Sequence, residues 1–241
     1  MEVKKGFLNG NQLKIIALIA MTLDHIGKML LPGFTILQII GRLAFPIFAY
    51  MISEGCRYTK NRKKYLLTMV IAAIFSQFFY TIIMKNWAQC ILVSFSLSII
   101  TIYIFDKYLR DRKKAYLLAF IGIVAFNFLL TNIIPGLFPK SGFIIDYGFF
   151  GIMLPVFVYA GKNKISKLAG TAVAMAAIAV ISGGIQWFSF GALILLYIYN
   201  GERGKRNLKY LFYIYYPLHL GAIYFVWRYL YLAIRLFNKI F

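Results

Sequence analysis

Apolar residues occupy most of this sequence, in long runs divided by short polar or basic gaps. A helix of roughly 20 residues crosses a hydrocarbon core of about 30 Å, and most of the runs approach that length. The alternating pattern of a membrane β-barrel is absent, whereas a helix satisfies its backbone polar groups within its own segment. We place the spans at residues 12–31, 36–56, 65–84, 90–105, 116–134, 147–160, 168–183, 187–199 and 209–232. The pattern therefore predicts an all-α fold, a polytopic transmembrane helical bundle of about nine spans.

Two of these spans are short for full crossings. Residues 168–183 and 187–199 flank Gly183 and Gly184, and a tight or re-entrant pair fits the same pattern. Without that pair the count falls to seven, so the expected range is seven to ten spans. We find no internal repeat, low-complexity tract or linker, and residues 1–241 are predicted to form a single domain.

Composition agrees with a membrane protein, since 61% of the residues are hydrophobic, 14% are charged and the mean hydropathy is +0.75. Soluble domains carry about 25% charged residues. The net charge of +20 is concentrated in alternate gaps, at the N-terminus and at residues 57–64, 106–115, 161–167 and 200–209. This is the positive-inside distribution, so we expect a multi-pass plasma-membrane protein with a cytoplasmic N-terminus and an external C-terminus, and no nucleic-acid partner.

The two cysteines offer no cross-link and no metal site. Cys56 and Cys90 fall at opposite membrane faces in this topology, so a disulfide between them is excluded. No group of residues has metal-ligand spacing, and no metal is expected.

Ionisable residues inside the predicted spans carry the information about function. Each costs at least ~2.5–3.5 kcal/mol to insert, so each needs a partner or a role. The spans contain Asp24, His25, Lys28, Arg42, Glu54 and His219. These include the only two histidines of the sequence.

Helix geometry predicts that four of these residues meet in one polar chamber. At about 1.5 Å per residue, His25 and Arg42 reach similar depths in the outer half of the bilayer, and His219 lies near the midplane. Asp24 and His25 point about 100° apart, so Asp24 is expected to pair with Lys28 or Arg42 rather than with His25. An Asp24–Arg42 pair that only fixes two helices is an open alternative.

Several stretches, in order over most of the chain, fit one family pattern. They are residues 13–27, 40–49, 54–55, 59–61, 146–148 with Gly151, 199–201 with Gly204, 209–210 and 216–219. On these stretches the sequence resembles the TraX family, which is similar to multi-span transmembrane acyltransferases and whose founding member acetylates the N-terminus of a conjugative pilin. Thr68, residues 76–78 and Cys90 depart from the pattern, and these departures concern the expected substrate more than the expected chemistry.

The resemblance and the polar chamber together predict acyl transfer from cytosolic acetyl-CoA to an amine or hydroxyl. The acceptor is expected to be peptide, pilin-like or glycan, in the membrane or exported. In this chamber, His25 is the expected general base, with a transient acyl carrier as the open alternative for the imidazole. Arg42 is the expected stabiliser of the oxyanion, and His219 an orienting or relay residue beside Asp24.

The phosphates of acetyl-CoA are expected at one basic turn. This turn provides Asn200, Gly201, Arg203, Lys205 and Arg206, with glycines that allow close backbone approach. A tight positive-inside hairpin is the alternative for the same residues. For the whole protein, a proton- or ion-coupled transporter using Asp24, His25 and Arg42 as a relay is the leading alternative, and a membrane scaffold is a weaker one.

Overall fold

The computed structural model describes residues 6–205 and 208–240, and this part of the chain is a bundle of helices. Its α-helices are α1 Gly10–Met29, α2 Thr35–Gly41, α3 Ala44–Tyr58, α4 Arg62–Met84, α5 Ile91–Asp111, α6 Lys114–Asn132, α7 Ile134–Leu137, α8 Gly148–Ala160, α9 Lys164–Ser182, α10 Ala192–Tyr197 and α11 Lys209–Ile240. Two 3-10 segments, Pro139–Ser141 and Gly184–Gly191, complete the helical elements of the described residues. Extended pairing there is limited to two isolated bridges, Leu8–Tyr199 and Gln89–Ile145.

The helical membrane class is confirmed, and the number of crossings stays a prediction. Within the described residues, the helices long and apolar enough to cross a membrane are Thr35–Tyr58, Arg62–Ile83, Ile91–Asp111, Lys114–Leu137 and Lys164–Ser182. The apolar segments Gly148–Ala160 and Gly184–Tyr197 are shorter. Between α9 and the second 3-10 segment the chain turns on Gly183 and Gly184, whose φ angles of 67° and 52° suit glycine.

The predicted span 36–56 coincides with Thr35–Tyr58, one of the helices long and apolar enough to cross a membrane. A short turn at Arg42 and Leu43 divides it into α2 and α3, although both residues keep right-handed helical φ and ψ angles. Pro46 agrees with this turn, since proline has no N–H to donate to the carbonyl four residues earlier and its ring collides with that carbonyl. Arg42 thus lies at the junction of the two helical segments.

The core lies where α1, α3, α5 and α8 pack against one another, with α4, α6, α9 and α11 around them. The peripheral α6 buries only Asn127 among its side chains. Asn127 donates to the Thr101 hydroxyl of α5 at 2.9 Å. This polar contact holds α6 against α5, because the hydrophobic effect does not favour contact between helices over contact with lipid.

The first and last helices run in the same direction side by side. Two contacts join them in parallel order: the hydroxyls of Thr22 and Tyr215 lie 2.7 Å apart, and His25 contacts His219 one turn further along. In the predicted nine-span order, an even number of crossings separates the start of α1 from the start of α11, which agrees with this parallel arrangement.

Candidate active site

The two histidines, which are 194 positions apart in sequence, form a direct contact. His25 Nδ1 lies 3.2 Å from His219 Nε2, and the two rings meet edge to face at 5.0 Å between centroids. His219 is buried and is stacked on the Tyr215 ring at 5.2 Å and 10°. The pair therefore has defined ring orientations, set by α1 on one side and α11 on the other.

Hydrogen bonds to the backbone assign the tautomers of the neutral pair. His25 Nδ1 lies 2.8 Å from the Met21 carbonyl and His219 Nδ1 lies 2.9 Å from the Tyr215 carbonyl. Because carbonyl oxygens only accept, both Nδ1 atoms carry the proton. His25 Nδ1–H then also donates to His219 Nε2. The lone pair of His25 Nε2 is left available to take a proton.

Asp24 makes both of the pairings expected from its spacing. Its carboxylate accepts from Lys28 Nζ at 2.5 Å, one turn along α1, and from Arg42 Nη2 at the junction of α2 and α3. The single predicted chamber is thus two adjacent clusters in the structure, Asp24 with Arg42 and His25 with His219. Whether the ion pair has a chemical role or only fixes helices stays a prediction.

Arg42 is held from three sides. Its Nε donates to the Gln38 carbonyl at 3.3 Å, and its Nη1 donates to Gln186 Oε1 at 3.2 Å. With the bond to Asp24, three of the five guanidinium N–H groups are engaged, which leaves two for a ligand oxygen. Gln186 is buried in the segment Gly184–Gly191, so this short segment contributes directly to the site.

A cavity of about 620 Å³ leads from the predicted cytoplasmic side towards the histidines. Its walls come from α1, α3, α4, α5 and α11, with the loops at Thr59 and Gly201 at its mouth. On α1 the lining residues are Asn11, Lys14, Leu18 and Met21. This spacing of three and four residues follows one face of a helix, and His25 is the next position on that face.

At its inner end the cavity stops one side chain short of the histidine pair. Met21, whose carbonyl bonds His25, lines it there, as does Tyr216, whose ring meets His219 at 5.5 Å. Phe95 closes the same end, backed by Phe45, which stacks on Phe95 at 6.2 Å. Neither histidine lines the cavity, so a reactive group at its end approaches them past Met21 and Tyr216.

Of the turn predicted to hold phosphates, only Gly201 and Arg203 line the cavity. Asn200 instead accepts from the Glu202 backbone N–H at 2.8 Å, Lys205 is exposed, and Arg206 lies outside the described residues. The turn also caps α1, because the carbonyls of Glu202 and Arg203 accept from the first N–H groups of that helix, at 2.7 and 3.0 Å. The turn thus has a structural contact with the start of α1, and its binding of phosphates stays a prediction.

Glu54 of the second predicted span lines the mouth of the cavity. Its buried carboxylate accepts from Lys167 Nζ of α9 at 2.6 Å. The pair ties α3 to α9 and cancels the negative charge of Glu54 on the cavity wall.

Comparison with known proteins identifies the family. The model of the TraX protein family matches residues 9–227 of this chain. The chain belongs to the TraX family. The probable fimbrial assembly protein FimC, serogroup H1, of Dichelobacter nodosus is 23% identical over 243 residues, covering 88% of this chain and 93% of that protein.

A second similar protein is the uncharacterized protein RP591 of Rickettsia prowazekii (strain Madrid E). It is 31% identical over 157 residues, which cover 65% of this chain and 57% of that protein. The match thus spans little more than half the length of the Rickettsia protein. No solved structure matches the chain.

The TraX match includes both histidines and the Asp24–Arg42 pair, but the structure adds residues that sequence analysis missed. Thr22 and Tyr215 carry no charge, so nothing in the sequence distinguished them from other polar residues in helices. Gln186 was likewise missed. Lys14 did carry a signal, because it is an ionisable residue within the predicted span 12–31. The sequence analysis did not include it among the residues that need a partner or a role.

Proposed function

We propose that this protein is a membrane-embedded acyltransferase that moves an acetyl group from cytosolic acetyl-CoA to an amine or hydroxyl of a membrane or exported acceptor. The observation that carries the proposal is the direct contact of His25 with His219, just beyond the inner end of a cavity open towards the predicted cytoplasmic side. Membership of the TraX family supports it independently.

The tautomers define how the pair would act. The acceptor nitrogen or oxygen attacks the thioester carbonyl while its proton passes to His25 Nε2. As His25 becomes positively charged, its Nδ1–H bond to His219 strengthens, so His219 orients and stabilises the base. Collapse of the intermediate breaks the carbon–sulfur bond, and the proton passes on to the departing sulfur, which leaves as CoA thiol.

Arg42 would stabilise the oxyanion with its two remaining N–H groups, since a fixed donor in a water-poor site is more effective than one in water. Asp24 keeps the guanidinium in place and neutralises it in the absence of substrate.

A peptide N-terminus is the acceptor that we propose. The Dichelobacter relative is named as a probable fimbrial assembly protein, and the resemblance to the TraX family implies a pilin substrate. We therefore place this protein, as a multi-pass protein of the plasma membrane, in the modification of pilin-like subunits.

The test is release of CoA from acetyl-CoA by purified protein, with a synthetic pilin-like peptide bearing a free N-terminus as acceptor. His25→Ala is expected to lose about 100-fold or more, the scale of a lost general base. His25→Gln is expected to be nearly as poor and His219→Ala milder. Ile19→Ala, at an exposed position of the same helix, is the control and keeps normal turnover.

Normal turnover in His25→Ala would refute this mechanism. Proton or ion flux without acceptor-dependent CoA release would instead support the transporter alternative.

A further inference from the structure

Lys14 lies in α1, the first predicted span, and has no carboxylate partner among the described residues. It is half-buried between the core residues Leu13 and Leu18, and its side chain lines the cavity. Its ammonium lies 5.2 Å from the centre of the Phe212 ring. Among the described residues, no carboxylate is within ion-pair distance of it. A charge in such a position needs a partner, and the described residues offer it the face of an aromatic ring but no carboxylate.

The charges around Lys14 favour an anionic ligand. Lys60, in the loop after α3, and Arg203, in the turn before α11, line the same cavity from two other elements. The carboxylate on these walls is Glu54, which Lys167 already neutralises. By formal charge, the described lining residues thus comprise three cations and one carboxylate, with the cations at the end away from the histidines.

The distance between Lys14 and His25 matches the length of the donor's flexible arm. Both residues lie on one face of α1, eleven positions apart, which corresponds to about 16 Å along the helix. The main chain of pantetheine, between the diphosphate and the sulfur, has about twelve bonds. Four residues of extended peptide also have about twelve backbone bonds, and they span roughly 14 Å. A phosphate at Lys14 thus puts the thioester close to the inner end of the cavity.

We propose that Lys14 binds the diphosphate of the CoA donor, with Lys60 and Arg203 completing the anion site at the cavity mouth. This inference rests on the proposed function for the nature of the donor. It shifts the main phosphate contact from the turn at 200–206 into the first helix. The N-terminus of α1 cannot serve here, because its first N–H groups are bonded to the carbonyls of Glu202 and Arg203.

The experiment measures the affinity of the full-length protein for CoA by calorimetry, in nanodiscs of zwitterionic lipid. Lys14→Met keeps the length of the side chain and removes its charge, and an apolar residue is well tolerated in this helix. We expect its affinity for CoA to fall about tenfold or more, the scale of a lost charge-assisted contact. Lys14→Arg is expected to retain most of the affinity. Lys114→Gln, at an exposed position outside the cavity, is the matched control and binds as the wild type does.

Pantetheine, which lacks the phosphates and is added at high concentration, tests whether Lys14 binds the negative charge of CoA or only affects the shape of the cavity. Its binding should be weak and equal in the wild type and Lys14→Met. Unchanged CoA affinity in Lys14→Met, or an equal loss for pantetheine, overturns the proposal. A third result separates this inference from the proposed function. If CoA binding depends on Lys14 but the wild-type protein releases no CoA from acetyl-CoA, this inference holds and the proposed function is refuted.

Discussion

Gly41 offers a sharp test of the packing that holds the ion pair. It is buried at the end of α2, where the helix passes directly over Asp24 of α1. A methyl group at Gly41 would lie 2.8 Å from the Asp24 carboxylate oxygen, 2.9 Å from its Cα and closer still to its Cβ. Carbon atoms in contact prefer about 3.5–4.0 Å, so the helices must separate by at least ~0.6 Å.

The expected effect of Gly41→Ala follows from that displacement. Overpacking of this kind costs ~1–3 kcal/mol of the free energy of unfolding, more than the ~0.5–1 kcal/mol that alanine gains over glycine in a helix. The Asp24–Arg42 pair and the adjacent His25 move with the backbone. Since misplacement by about 1 Å can reduce a rate ~100-fold, we expect turnover to fall by roughly 10- to 100-fold.

The assay is acceptor-dependent CoA release combined with thermal unfolding in detergent. Gly122→Ala on α6 and Gly221→Ala on α11 are matched controls, because a methyl group at either position meets nothing within 4 Å. Both should fold and turn over normally. If Gly41→Ala is as stable and active as these controls, the close approach of α1 and α2 does not position the site.

Two further predictions concern the ion pair and the topology. Arg42→Ala leaves the buried Asp24 with only Lys28, so we expect it to lose activity and also ~3–5 kcal/mol of the free energy of unfolding, the scale for breaking a buried pair. Chemical denaturation measures this loss. An inactive variant of normal stability would instead assign Arg42 to catalysis alone. Reporter fusions at Lys113 should be cytoplasmic and at Lys140 external, so the same signal from both would refute the predicted span count.

Much of the site was accessible from sequence because the bilayer makes each polar residue in a span costly. That rule selected Asp24, His25, Arg42 and His219 before any contact was known. Helix periodicity then separated Asp24 from His25 and directed Asp24 to Lys28 and Arg42, as the structure has it. The same rule, applied to Lys14, would have found the cavity-lining cation.

The sequence alone determined the helical class, the approximate ends of most helices and the polar residues at membrane depth, since run length and charge placement are local properties. Only the tertiary structure decided which faces of the helices meet: His25 on His219, Arg42 on Gln186, and the turn at Glu202 on the start of α1. The apolar environment of lipid and that of the protein interior select the same residues, so hydropathy leaves the rotation of each helix undetermined. Packing and paired polar groups set that rotation, and with it the cavity that leads to the histidines.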